Sequence, residues 1–196
     1  LHTHGPPAPR ATAPHTTPHA MQFTVRDAIP FPRDQVFEAQ RDKLPELAPY
    51  LHDIESITVT SREEHGAVSK LVNIWKAKGG DIPSAMRAFV KPEMLQWTDY
   101  ASWDRDAWRC DWNLVLGFLP GVIECKGSTS FAEAGGRTTV TVAGDLKIFA
   151  DKIPGVPRFM AAKAGETVEK FVIGMIKPNL SKTNEGVTAY LRAQAG

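Results

Sequence analysis

From Ile54 to Phe149 the chain is written in period two. The segments IESITVTSREE, GAVSKLVNIWKAK, SAMRAFV, EMLQWTDYASWD, AWRCDWNLVLG, VIECKGSTSFAEA and RTTVTVAGDLKIF alternate apolar with polar residues or gather β-branched and aromatic ones. His65-Gly66, Gly79-Gly80, DRDA, FLPG and Gly135-Gly136 stand between them and carry the glycine and aspartate that tight turns need. The pattern predicts an antiparallel meander. An earlier segment, MQFTVRDAIP, sets Phe23 and Val25 against Gln22, Thr24 and Arg26 and reads as strand one.

Helical spacing interrupts this pattern once and ends it once. In FPRDQVFEAQRDKLPELAPYLHDI, Pro32 suits a first helical position, Val36, Phe37 and Gln40 to Leu44 continue the turn, and Pro45 forces a break before a second short helix. The last forty or so residues put Phe159, Ala162, Val168, Val172, Met175 and Ile176 along one helical face. Pro178 is expected to kink or end that helix before NLSKTNEGVTAYLRAQAG resumes. Gly165 and Gly174 lower helix stability and predict close approach to the sheet or room left for a ligand.

Residues 1–20, LHTHGPPAPRATAPHTTPHA, hold five of the 15 prolines and four of the 6 histidines, with Arg10 the single charged side chain. They have no apolar run able to offset the entropy of ordering and are expected to be a disordered tail, leaving 21–196 as one domain. The tail histidines lack nearby carboxylate or thiolate partners, so no metal site is expected. No segment offers the roughly eighteen uninterrupted apolar residues of a membrane span, nor the apolar core of a signal peptide, which makes a cytoplasmic location the expectation. Beyond Arg10, 22 Lys and Arg balance 22 Asp and Glu, a surface that excludes phosphate-backbone binding as a main activity and so predicts no nucleic-acid partner. Cys110 and Cys125 fall about three residues out of register on neighbouring strands and are expected to stay reduced. No GxGxxG, GxxxxGK[ST] or GxSxG is present, so no cofactor is expected.

A strand, two short helices, about seven antiparallel strands in all and a long terminal helix make an α+β layout in which a curved sheet wraps around the last helix. This order resembles the SRPBCC superfamily, which takes in START lipid-transfer domains, polyketide cyclases and aromatases, and birch-pollen-allergen-type proteins. IPFPRDQVFEAQRDKLPELAPYLHDIESITV and GDLKIFADKIPGVPRFMAAKAGETVEKFV carry the likeness, over about residues 21 to 193. It implies a helix-grip fold with an internal cavity and no single catalytic motif.

LQWTDYASWDRDAWRCDW holds four of the 5 tryptophans. A four-residue DRDA loop would set Trp103 opposite Trp108, Ala101 opposite Cys110, Asp99 opposite Trp112 and Trp97 opposite Leu114, all on one face. Gln96, Thr98, Tyr100, Ser102, Arg109, Asp111 and Asn113 share the polar face that meets solvent. The aromatic face then lines the concave side, and Asp99 points into it. The expected walls are Trp75, Trp97, Trp103, Trp108, Trp112, Leu114 and Phe131 from the sheet, with Phe159, Val168, Val172 and Met175 from the helix. Asp99 and Arg87 would orient a ligand there, either paired or with Asp99 raised in pKa by burial. His52 followed by Asp53 is a candidate at the rim.

Three functions fit these residues. The first is binding, with possible transport or sequestration, of a hydrophobic or amphipathic small molecule such as a lipid, polyketide or isoprenoid. The second is an enzyme of the cyclase, aromatase or dehydratase kind using Asp99 as acid or base. The third is a cavity-less interaction module, in which the indoles pack solidly.

Overall fold

A computed structural model of the chain describes residues 19–78, 95–117 and 120–196, leaving out the side chains of 19, 171–172 and 175–179. Seven strands form one sheet: β1 (His19–Ile29), β2 (Ile54–His65), β3 (Val68–Ala77), β4 (Gln96–Asp104), β5 (Arg109–Leu116), β6 (Ile123–Ala134) and β7 (Arg137–Ile148). The order is β1-β7-β6-β5-β4-β3-β2, antiparallel throughout, so every neighbour except the β1/β7 pair is also a neighbour in sequence. β1 takes in His19 and Ala20, the last two residues of the stretch read as tail, and pairs them with Ile148 and Lys147. SAMRAFV and Gly79-Gly80 lie outside the described residues.

Burial follows the alternation. Along β7, Thr138, Val140, Val142, Gly144, Leu146 and Ile148 are buried and the residues that alternate with them are not, which is the period that gives a strand one inward face. Gly135 and Gly136 close the β6–β7 hairpin at φ 59° and 70°, left-handed values that a residue with a Cβ adopts reluctantly.

The short helices fall where proline dictates. α1 (Arg33–Asp42) starts after Pro32, which sits at the cap rather than inside the first turn, and α2 (Leu44–Leu47) carries Pro45 in its first turn after the break. Pro32 offers no side-chain cap, and the Glu133 carboxylate of β6 accepts the Arg33 N–H at 2.8 Å instead. A 3-10 turn, Ala48–Tyr50, completes this layer.

α3 (Ala161–Ala195) is one helix of 35 residues, so of the two outcomes expected at Pro178, a kink or an end, the end does not occur. The carbonyl deprived of a helical N–H by Pro178 belongs to Gly174, which is exposed and can be solvated. The close approach foreseen at Gly174 occurs at Gly186 instead. A Cβ at Gly174 would meet nothing within 4 Å, whereas one at Gly186 would lie 2.4 Å from Leu51 Cδ2 and 2.8 Å from the Tyr50 carbonyl. Phe159 is also corrected: it precedes α3, in a 3-10 turn at Arg158–Met160, and is 86% exposed.

The C-terminal half of α3 is held firmly. Val187, Tyr190 and Leu191 are buried, Tyr190 packs edge-on to Tyr50 and donates to Glu46 at 3.0 Å, and Asn184 donates to Asp27 of β1 at 2.9 Å. Lys182 donates to Asp53 at 2.8 Å, and His52 also bonds that carboxylate. Lys182 first and His52 second hold Asp53 down at about 2. Because the folded pKa is depressed, the stabilisation is present above the ordinary value of 3.8 and is lost as pH falls toward 2. Asp53→Asn should therefore cost about 1 kcal/mol at neutral pH and nothing near pH 2. Urea midpoints of both proteins across that range test this, and an equal loss at both ends would refute it.

Candidate functional site

The tryptophan hairpin keeps its predicted faces and changes its register. Trp103 lies opposite Cys110, Ala101 opposite Trp112, Asp99 opposite Leu114 and Trp97 opposite Leu116, a shift of two positions from the expectation. An even shift preserves the side of the sheet on which every residue sits. The cause is Trp108, which takes φ 49° and becomes the last residue of the loop, while Asp104 pairs with Arg109 and its carboxylate accepts the Ala107 N–H at 3.0 Å.

The inner face divides into two unlike ends. At one, Phe37 of α1 is 1% exposed and meets Trp103, Trp108 and Phe131 edge-on at 5.2, 5.3 and 5.3 Å. The Arg33 guanidinium lies over the Trp108 ring at 4.1 Å. These three residues, read from the sequence as cavity wall, thus surround a packed plug.

Trp112 occupies the middle. Its indole N–H donates to Thr129 at 3.2 Å, and its ring lies over Gly127 and Gly144, which face each other on β6 and β7. A Cβ at Gly127 would fall 2.6 Å from Trp112 Cζ2 and one at Gly144 2.8 Å from Trp112 Cη2, so the absence of side chains makes room for the indole. Phe23 of β1 stacks beyond it at 6.4 Å.

The other end is more open and more polar. Ala101 and Trp103 are buried, but Trp97 and Asp99, further back along β4, are only half-buried, as are Trp75, Leu114 and Leu116. Trp75 and Trp97 stack at 5.7 Å with planes 14° apart. In the next row, Asn73 of β3 is wholly buried and donates to Asp99 Oδ2 at 3.1 Å. The second oxygen of Asp99 and the amide oxygen of Asn73 are buried with no hydrogen-bond partner among the described residues. Such groups are costly to leave unmet, and two of them side by side mark this patch out from an ordinary core.

Burial pushes Asp99 up to about 6, while the Asn73 hydrogen bond and the neighbouring Trp75 N–H pull in the opposite direction. A carboxyl so poised exchanges a proton near neutral pH. Asn73 was not singled out in the sequence, where a lone asparagine on a strand carries no signal until its partner across the ladder is known.

Of the remaining predicted residues, Val168 of α3 packs half-buried against the core, while Arg87 and the side chains of Val172 and Met175 lie outside the described residues. His52 is at the surface, engaged with Asp53. Both cysteines are free and buried, with Cys110 opposite Thr129 and Cys125 opposite Leu114; burial raises both thiols, Cys125 to about 11. A wide groove of about 590 Å³ opens on the outward face across β1, β7, β6 and β5, lined by Gln22, Asn113, Lys126 and Asp145 among others. Polar groups there satisfy one another, Arg109 with Asp111 at 2.7 Å and Gln22 with Asp145 at 3.1 Å. The orphaned groups on the inner face make that side the stronger candidate. No described helix is long and apolar enough to cross a membrane.

No family model and no curated protein sequence matches the chain. Solved structures do. TTHA0849 from Thermus thermophilus superposes with a TM-score of 0.64 at 21% identity, over 90% of this chain and 100% of that one. The Zhui aromatase/cyclase from Streptomyces sp. R1128 gives 0.62 at 14% identity, over 91% and 97%. Ara h 8.0201 gives 0.54 at 15% identity, over 89% and 99%. Likeness at such identities speaks for fold alone, and the fold these structures share with the chain is the helix-grip fold.

Proposed function

We propose that the protein binds a hydrophobic or amphipathic small molecule between the inner face of its sheet and the N-terminal half of α3. The observation that carries this reading is the pair of orphaned polar atoms, Asp99 Oδ1 and Asn73 Oδ1, on an otherwise apolar surface next to the stacked Trp75 and Trp97. Apolar area supplies affinity and a few convergent polar groups set orientation. Asp99 and Asn73 would hold the polar end of the guest, with Trp75, Trp97, Leu114 and Val168 along its apolar body. The first half of α3 supports the same reading, since only Ala161 and Gly165 of residues 161–170 are buried and this part of the helix packs less tightly than its C-terminal half.

An apolar fluorescent probe tests the proposal. Saturable binding of one equivalent is expected, with transfer from tryptophan to probe, and Trp97→Ala should weaken it by about tenfold. Absence of saturable binding would rule the reading out and favour a solid interaction module.

A second reading is favoured by the raised Asp99, which suits acid or base catalysis, and by likeness to an aromatase/cyclase. Asp99→Asn separates the two: probe binding should persist within a few-fold, whereas any proton-transfer reaction should fall by about a hundredfold or more.

A further inference from the structure

The connection between β7 and α3 leaves two large apolar side chains in solvent. Phe159 is 86% exposed and Met160 49% exposed. Both stand on a short 3-10 turn, Arg158–Met160, reached through Pro154, Gly155 and Pro157, so the turn is presented on a stiff approach. The stretch KIPGVPRFMAAK, residues 152–163, holds three cations, Lys152, Arg158 and Lys163, and no carboxylate, in a chain whose charges otherwise nearly cancel. All three cationic side chains are on exposed residues; the Lys152 ammonium also lies 4.1 Å over Phe149, and Asp151 and Glu166 flank the stretch. A hollow of about 410 Å³, bounded by Val156, Pro157, Met160 and Lys163, adjoins the exposed pair.

Its position in the fold matters as much as its composition. Leu146 shares a cross-strand row with Cys125, Leu114 and Asp99, and β7 ends two residues later at Ile148. The connection therefore leaves the sheet at the Asp99 and Trp97 end, opposite the plug around Phe37.

We propose that this connection docks on an anionic lipid bilayer, with Phe159 and Met160 entering the headgroup region and Lys152, Arg158 and Lys163 meeting the lipid phosphates. The proposal rests on the guest-binding reading and adds the guest's source, a membrane from which an amphipathic molecule passes directly to the open end of the sheet. Two exposed side chains are far too little for a stable protein interface, which needs about 800 Å² from each partner. An aromatic and a thioether ringed by cations are instead what an interface with charged lipid holds, weakly and reversibly.

Sedimentation with vesicles of phosphatidylcholine, with and without phosphatidylglycerol, at low and high salt, tests this. Binding is expected to the phosphatidylglycerol vesicles alone and to weaken with salt, because each cation near such a surface contributes on the order of fivefold in partitioning. F159S/M160S and R158E/K163E should each lose at least about tenfold in vesicle binding while taking up the apolar probe in solution like the native protein. These positions are exposed, so both variants should fold, which circular dichroism would check. No binding of the native protein, or equal binding of both variants, would overturn the proposal. So would a concentration-dependent dimer that F159S/M160S dissolves, since the patch would then belong to a second copy. Vesicle binding by a protein that takes up no probe would support the docking surface and sink the guest-binding reading, so the two failures stay apart.

Discussion

Phe37→Ala should cost about 3 to 5 kcal/mol and leave the fold marginal. The ring is 1% exposed, and three aromatic partners meet it edge-on, Trp103 at 5.2 Å, Trp108 at 5.3 Å and Phe131 at 5.3 Å. Removing it takes away both the transfer energy of a buried aromatic and the contacts that its neighbours cannot remake, because indoles fixed on strands cannot collapse into the hole. Trp108 would suffer further, since its left-handed backbone is strained and Phe37 is one of the contacts that hold its ring. Urea unfolding followed by tryptophan fluorescence gives the number. A loss below about 1 kcal/mol would show that α1 does not plug this end of the sheet. Phe37→Leu should recover about half of the loss by refilling volume, which separates the cavity effect from loss of aromatic geometry.

That plug shows how far residues alone could lead. Strand identity and facing were legible because a period of two is a local property, and an error of two in hairpin register leaves every side chain on its proper face. The register itself was not, because it depends on Trp108 adopting a left-handed conformation, a choice made by tertiary partners on α1. For the same reason the tryptophans could not be divided into plug and wall beforehand: Phe37 is far in sequence from Trp103 and Trp108, and nothing local announces that α1 covers that end. Glu133 capping α1, and Gly186 admitting Leu51 against α3, are likewise facts about elements far apart in sequence.

The candidate site was half legible. Asp99 declared itself as a carboxylate among indoles, whereas Asn73, which donates a hydrogen bond to it, became meaningful only through the β3–β4 ladder. Phe159 was misread because helical spacing was extended two residues upstream of the true start of α3, across a Pro157 that opens a 3-10 turn. The misreading is instructive. An apolar residue that fits the phase of an amphipathic helix can still be left outside it, and its exposure then becomes information about a partner.

Asp99→Asn should stabilise the protein at neutral pH. Burial raises this carboxyl from its ordinary 3.8 to about 6, so the folded state holds the proton more tightly than the unfolded chain does. The contribution of Asp99 to native stability is accordingly greatest below pH 4, falls as pH rises from about 4 to about 6, and is flat above that. The shift corresponds to a penalty of up to about 3 kcal/mol at pH 7.5, carried by an ionised group whose Oδ1 has no described partner. Asparagine is nearly isosteric and uncharged, and its amide can donate to the orphaned Asn73 oxygen. The variant should unfold at a higher urea concentration at pH 7.5, by about 1 to 3 kcal/mol, and match the native protein within about 0.5 kcal/mol at pH 4. Proton uptake on folding near pH 5 should disappear with it. A native protein whose stability does not fall between pH 4 and pH 6 would mean that a cation neutralises Asp99 in the folded state, the arrangement expected if Arg87 pairs with it. The polar end of any guest would then meet an ion pair rather than a carboxyl that readily accepts a proton. A stability gain at pH 7.5 combined with weakened guest binding would instead identify Asp99 as a group kept for its ligand at the expense of the fold.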